Sequence, residues 1–180
     1  KGSIDDIRIY NRALSEAEVK SLYEYETTSP NQPNPTPPLP PEPAQGTAES
    51  IPANLLKGLF AYYPFNGNAK DESGQGHHAS HSSSIPVKDR FGKENSAQRF
   101  RGQDHIEVPH SDEFNLQQQQ GFTISLWINA FKGNGGNALV SKNNGGGDQD
   151  KWFLTLNDSK VLFHVNYGEG RSTHGTGDEG

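Results

Sequence analysis

The chain contains no cysteine and no methionine among its 180 residues. Without thiols, disulfides and thiolate zinc centres are excluded, and the redox compartment leaves no mark. No run of about 18 apolar residues occurs, so nothing reads as a membrane-spanning helix. Positive charge is scattered: 16 Lys and Arg stand against 22 Asp and Glu, for a net charge of −6. With no basic cluster, nucleic acid is not an expected partner. The surplus carboxylates keep a surface soluble, and they are compatible with a hard cation such as calcium. Hydrophobic residues make up only 30% of the chain, which allows a modest core and concentrates it in the second half. No signal peptide opens the chain. Lys1 leads directly into a strand-like segment, as expected of an excerpt from a longer polypeptide.

Proline, by contrast, is abundant and clustered. Nine of the twelve prolines fall between Pro30 and Pro52. Proline fixes φ and removes a backbone donor, so neither a helix nor a central strand can run through such a stretch. The expectation is a semi-rigid polyproline II spacer. It divides the chain into residues 1–26, a linker over 27–56, and a larger unit over 57–180.

Residues 2–10 alternate like a strand, with Ile7 and Ile9 on one face and Asp6, Arg8 and Tyr10 on the other. A short helix comes next. Ser15 and Glu18 form a capping box, and Leu14 and Val19 are spaced for a hydrophobic staple. Val19, Leu22 and Tyr23 would form its apolar stripe. Beyond the spacer, Leu55–Phe65 is apolar and Asn66–Gly76 is a turn-rich loop. Strands are predicted at Ala97–Phe100, Asp104–Val108, Phe122–Asn129, Ala138–Ser141, Trp152–Leu156 and Val161–Tyr167. Gly133–Gly136 and Gly145–Gly147 mark loops, and Gly168–Gly180 reads as loop. Short strands with frequent turn signals and no long helical period predict an all-β antiparallel sandwich.

Two segments carry a family resemblance. Gly2-Ser-Ile-Asp-Asp-Ile-Arg-Ile-Tyr-Asn-Arg-Ala-Leu-Ser-Glu-Ala-Glu resembles the closing strand and helix of bacterial laminin-G-like modules, which have the concanavalin A-like jelly-roll fold. Leu59-Phe-Ala-Tyr-Tyr-Pro-Phe-Asn-Gly-Asn-Ala-Lys-Asp-Glu-Ser-Gly-Gln-Gly-His-His resembles the opening of such a module. Asp89-Arg-Phe-Gly, Ser96-Ala-Gln-Arg-Phe-Arg-Gly and Phe122-Thr-Ile-Ser-Leu-Trp-Ile look like its next strands. The resemblance covers residues 1–25 and 57–167, with the family's last segment placed first. It implies a tandem array: the end of one module, a linker, and an incomplete jelly roll that lacks its own closing strand. Gly2–Tyr10 would fill that closing position if the chain behaves as a circular permutation. A spacer of ~27 residues at ~3.1 Å each reaches ~80 Å, so distance does not forbid it.

The resemblance also implies a site. In similar modules a calcium joins the opening loop to an acidic residue of the closing strand. Carried over, its ligands are Asp71, the Gly74 carbonyl, Asp6 and Asn66. The alternative reading of that loop is an Asx- and Gly-rich turn without metal. Sugar binding needs an aromatic face flanked by amides and hydroxyls. Strand parity offers Trp127, Phe153 and His164 as one semi-polar surface over a core of Trp152, Leu154, Leu156, Phe163 and Val165. The alternative places Trp127 in the core. His77, His78 and His81 lack the Cys or paired carboxylates of a zinc site and read as loop histidines.

Catalysis has little support. The Glu-x-Asp-x-x-Glu strand of related glucanases is absent, and Asp5 and Asp6 fall on opposite faces of a regular strand. No Gly-x-Ser-x-Gly elbow or P-loop occurs. The expectation is a non-enzymatic, extracellular or cell-surface module of a secreted bacterial protein. It would bind a glycan or another matrix or cell-surface ligand, with calcium fixing its loops. The alternatives are a structural spacer or adhesin repeat without its own ligand, and an accessory module of a secreted carbohydrate-active enzyme.

Overall fold

A computed structural model describes residues 1–27, 51–115, 121–130, 137–143, 151–157, 160–168 and 171–178, with backbone alone for 137, 167–168 and 171–178. In chain order the elements are β1 (Gly2–Tyr10), α1 (Glu16–Thr27), α2 (Ala53–Leu56), β2 (Leu59–Tyr63), β3 (His81–Ser82), β4 (Ile85–Val87), β5 (Ala97–Phe100), β6 (Ile106–Glu107), β7 (Thr123–Ala130), β8 (Asn137–Lys142), β9 (Lys151–Asn157), β10 (Lys160–Gly168) and β11 (Arg171–Asp178). One 3-10 turn spans Asp112–Phe114. The protein is therefore an antiparallel β protein, as predicted. Most of the predicted linker and both predicted glycine loops lie outside the described residues. Residues 53–56 of that linker are instead helical, with Leu55 fully buried. Among the described residues no helix is long and apolar enough to cross a membrane.

Strand β1 is the centre of the first sheet. Strand β7 pairs antiparallel with it from Gly2↔Ala130 to Tyr10↔Thr123. On its other side β1 changes partner midway. Gly2–Ile4 pair with β5, and Ile7–Tyr10 pair with β2. Strand β4 extends the sheet beyond β5. The N-terminal strand thus completes the sheet built by residues 59–130. The change of partner coincides with a bulge. Register with β7 slips between Asp5 and Arg8, and Asp6 has φ +50. A bulge inserts a residue and reverses the parity of the strand beyond it. Ile4 and Ile9, five residues apart, consequently both enter the core.

The second sheet runs β11-β10-β9-β8. Arg171–Asp178, read from the sequence as loop, is a strand paired along β10. Its Arg-Ser-Thr-His-Gly-Thr-Gly-Asp string has no apolar alternation, so only the ladder with β10 identifies it. The two sheets share one core. Ile4, Ile9, Phe60, Ala61 and Tyr63 come from the first, and Trp152 and Val165 from the second. Ile124, Leu126 and Ile128 pack against this cluster from β7, and Val140 and Phe163 from the second sheet. The Phe122 and Phe163 rings lie 5.2 Å apart across the gap. Trp152 is 1% exposed, and its Nε1 donates to the Phe114 carbonyl at 2.9 Å, so its burial leaves no orphaned donor. Leu154 and Leu156, expected in the core, are only half-buried.

Helix α1 lies on the opposite, outer face of the first sheet. Its capping box forms: the Ser15 amide donates to Glu18 at 2.9 Å and the Glu18 amide to Ser15 Oγ at 3.3 Å. The predicted staple and stripe do not form, since Val19 and Tyr23 are 51% and 58% exposed. The buried line is Leu22 and Glu26. Leu22 joins Tyr10, Leu55, Leu59 and Tyr62 in a second cluster. Glu26 forms an ion pair with Arg8 of β1, which is itself 1% exposed. That pair turns the helix away from the orientation its apolar residues alone would choose.

Removing one partner of a buried ion pair strands the other charge. Glu26→Ala is expected to cost about 3–5 kcal/mol of stability, whereas Val19→Ala should cost less than about 0.5 kcal/mol. Urea unfolding of both variants measures the contrast, and comparable losses would show that α1 does not dock through Glu26.

Candidate functional site

Three regions contain the residues that the sequence marked for function. The first is the outer face of the first sheet, beneath α1. The string Asp89-Arg-Phe-Gly builds a tight turn there. The Asp89 carboxylate accepts from the Phe91 and Lys93 amides, each at 2.8 Å, and Gly92 takes φ +85, a conformation that favours glycine. This turn delivers Arg90 between the sheet and the helix. Arg90 Nη1 donates to the carboxylates of Asp5 and Asp6, at 2.9 Å for Asp6. Its Nη2 donates to the Glu26 carbonyl at 2.6 Å, near the C-terminus of α1. Asp5 and Asp6 therefore share one arginine rather than facing opposite ways, because the bulge at Asp6 breaks the two-residue alternation.

Trp127 is enclosed in the same region. Its Nε1 donates to Glu26 at 2.7 Å, the Arg90 guanidinium lies 4.8 Å from its ring, and the Tyr23 ring is 5.9 Å away. Trp127 is half-buried, outside the core cluster and against α1. It forms a floor on which the helix rests. Arg8 completes the layer with its guanidinium 4.1 Å from the Tyr62 ring.

Charge is concentrated here at low solvent exposure. Burial, with help from the Asp6 and Asp89 charges and against the pull of Arg90, pushes the Asp5 carboxyl up to about 7. Burial also pushes Glu26 up, opposed by Arg8 and by the Trp127 hydrogen bond.

The second region is the loop 66–78, where calcium was expected. Asp71 is buried, and both of its oxygens are occupied. Oδ1 accepts from the Tyr62 and Ser73 amides at 2.9 Å, and Oδ2 from Ser73 Oγ and the His77 amide at 2.9 Å. Burial alone would raise this carboxyl, but these hydrogen bonds outweigh it and hold it below its ordinary value. Asn66 Oδ1 accepts from Lys93 at 2.8 Å. Asp6 receives Arg90 and the Tyr62 hydroxyl, the latter at 3.1 Å. Gly74 takes φ +86 within the turn. Tyr62 links the two acids, donating its amide to Asp71 and its hydroxyl to Asp6. As arranged, the side-chain oxygens of Asp71, Asp6 and Asn66 accept from N–H and O–H donors. Among the described residues no three His, Asp or Glu side chains form a metal-ligand group.

The third region is the outer face of the second sheet. Phe153 and His164 are cross-strand partners with ring centroids 6.0 Å apart. Thr155 opposite Leu162 continues the same face, and Ser141 lies opposite Phe153 on β8. The structure thus joins Phe153 with His164 and leaves Trp127 on the far side of the sandwich. The loop histidines separate as well. His77 packs against Phe60 and Phe114, with Nε2 2.7 Å from Glu113 Oε2 but not aligned for a hydrogen bond. His78 Nδ1 accepts from the Asp71 amide at 3.1 Å. His81 faces His105 at 5.2 Å.

Arg8, Glu26 and Arg90 were not identified from the sequence. A signal for the bulge was present in the apolar spacing Ile4, Ile7, Ile9, which is three and then two residues. Comparison with protein families, curated proteins and solved structures finds no match to this chain in any of the three.

These geometries set two expected outcomes. Asp71→Ala strips four donors of their acceptor and should destabilise the fold by on the order of 3 kcal/mol, measured by thermal unfolding. The Asp5 carboxyl titrates near 7 when folded and near 3.8 in its unperturbed state. The folded chain therefore holds an extra proton between those values. The stability Asp5 contributes is complete below pH 4 and lost as pH rises through about 7. Asp71 acts oppositely: its contribution is present above its unfolded value and lost as pH falls through its lowered folded one. Urea unfolding between pH 4.5 and 8 should give a decline of a few kcal/mol that Asp5→Asn flattens. An unchanged slope in that variant would assign the proton elsewhere.

Proposed function

We propose that the chain is a non-catalytic recognition module of the laminin-G-like, jelly-roll kind, which binds a glycan or another extracellular ligand on the outer face of its second sheet. The observation that supports this reading is the Phe153–His164 pair. Two rings lie side by side on a sheet face that also carries Ser141, Thr155 and Leu162. Carbohydrate recognition uses this combination of a flat apolar ring and nearby hydroxyl or amide groups. Trp127 has no part in the ligand face in this reading, because its ring and its N–H are committed to Arg90, Tyr23 and Glu26. Placement at a cell surface or outside the cell belongs to the same proposal and comes from the family resemblance. The loop around Asp71 serves as a scaffold that hydrogen bonds already hold. Any calcium dependence would require a cation to displace one of its donors.

Affinity electrophoresis through gels containing soluble polysaccharides tests the reading. Retardation of the chain is expected, with Phe153→Ala weakening it at least about fivefold, the scale of one interface residue worth 1 kcal/mol. Trp127→Ala should leave retardation intact while lowering the melting temperature. No retardation by any polysaccharide at millimolar sugar would favour a structural spacer or adhesin repeat. Loss of binding in Trp127→Ala at full stability would move the site to the first sheet.

A further inference from the structure

We propose that residues 1–27 are an exchangeable arm, which docks in the first sheet of a second copy of this chain as it does in its own, closing a two-fold dimer. Three observations carry this, and none depends on the ligand reading.

First, β1 fills a slot rather than adding an edge. Among the described residues, β7 is joined to β2 and to β5 only through β1. The first sheet of any copy must be completed by such a strand, from whichever copy supplies it.

Second, the arm carries a complete docking surface. Ile4, Ile9 and Tyr10 are buried, Arg8 and Glu26 pair within the arm itself, and Trp127 and Arg90 receive it from the body. Each of these contacts is indifferent to which chain the arm belongs to, so exchange conserves them all.

Third, the covalent connection is poorly suited to self-docking. Tyr25, near the end of the arm, and Ile51, at the start of the body, pack against the same apolar cluster. The 23 residues numbered 28–50 connect these two points, and eight of them are proline. A flexible tether gives its ends an effective concentration in the millimolar range. A proline-rich one favours extension and resists doubling back, which lowers that value. Exchange then competes at concentrations below those needed with a flexible tether. Swapping an identical element is a low-cost route to a closed dimer.

The absence of cysteine makes the test clean. Ser3 on β1 lies opposite Asn129 on β7, and antiparallel partners lie within the span a disulfide bridges. Full-length Ser3→Cys and Asn129→Cys chains are mixed, unfolded, refolded together at about 0.5 mM and oxidised. Full-length Ser3→Cys/Asn129→Cys chains treated alone at high dilution give the yield of the bond within one chain. The expected result is a disulfide between the two different chains at no less than about a tenth of that yield. Replacing the prolines of residues 30–43 by serine and glycine should cut it severalfold. Light scattering on the unaltered chain should show a two-chain mass that grows with concentration. A bond that closes within the double variant but never between the two single variants would overturn the proposal. So would a one-chain mass throughout, or a dimer lacking that cross-chain bond.

Discussion

The pairing of β1 with three strands at once is the constraint on which the molecule rests. Strands β2, β5 and β7 come from residues 59–130, yet none of them pairs with another of the three. Each depends on a segment that precedes them all in sequence. Hydrogen bonds between strands contribute little net stability apiece, but a central strand without partners would leave buried backbone donors and acceptors unsatisfied. The sheet and the docking of β1 are therefore one event. The core inherits this dependence, because Ile4 and Ile9 supply part of the apolar surface against which the second sheet packs.

The outer face of the first sheet uses a different chemistry for the same purpose. Apolar contacts hold the sheets together without much directional preference, whereas the layer under α1 is built from charge. Arg8 and Arg90 stand against Asp5, Asp6 and Glu26, with Trp127 and Tyr62 as flat walls. A buried ion pair is a weak source of net stability but a strong selector of register. Sliding the helix by one residue would separate Glu26 from both Arg8 and Trp127. The bulge at Asp6 serves the same layer by bringing two consecutive carboxylates to one guanidinium.

Much of the fold was legible in the sequence, because strands announce themselves through alternation. Phe122 to Ile128 is the clear example, and its four apolar residues pack on the core. The capping box of α1 was legible for the same reason, being a local pattern with a local cause. The candidate site was less so. The orientation of α1 depends on Glu26 reaching Arg8, eighteen residues earlier, and no helical periodicity contains that fact. Trp127 keeps to the polar parity of its strand, so the sequence marks it as outward-facing but not as covered. Strand β11 has almost no apolar residues and exists because β10 offers it a ladder. Asp71 was read from the sequence as a metal ligand, and in the structure its oxygens accept from three backbone amides and the Ser73 hydroxyl. A turn that gathers N–H groups around a carboxylate and a turn that gathers oxygens around a cation use the same Asn, Asp, Gly and Ser vocabulary.

A central strand that precedes all of its partners in sequence also has a consequence during synthesis. Residues 2–10 are synthesised before every strand they pair with, and their longest partner, β7, is complete only at Ala130. At about 5–20 residues per second, the interval is on the order of ten seconds. Through that time an apolar strand with both edges open is exposed to other nascent chains. The acidic pair in its middle, two negative charges on adjacent residues, then works as a gatekeeper that discourages stacking with like segments. The same two carboxylates that later grip Arg90 keep the newborn strand soluble until its sheet arrives.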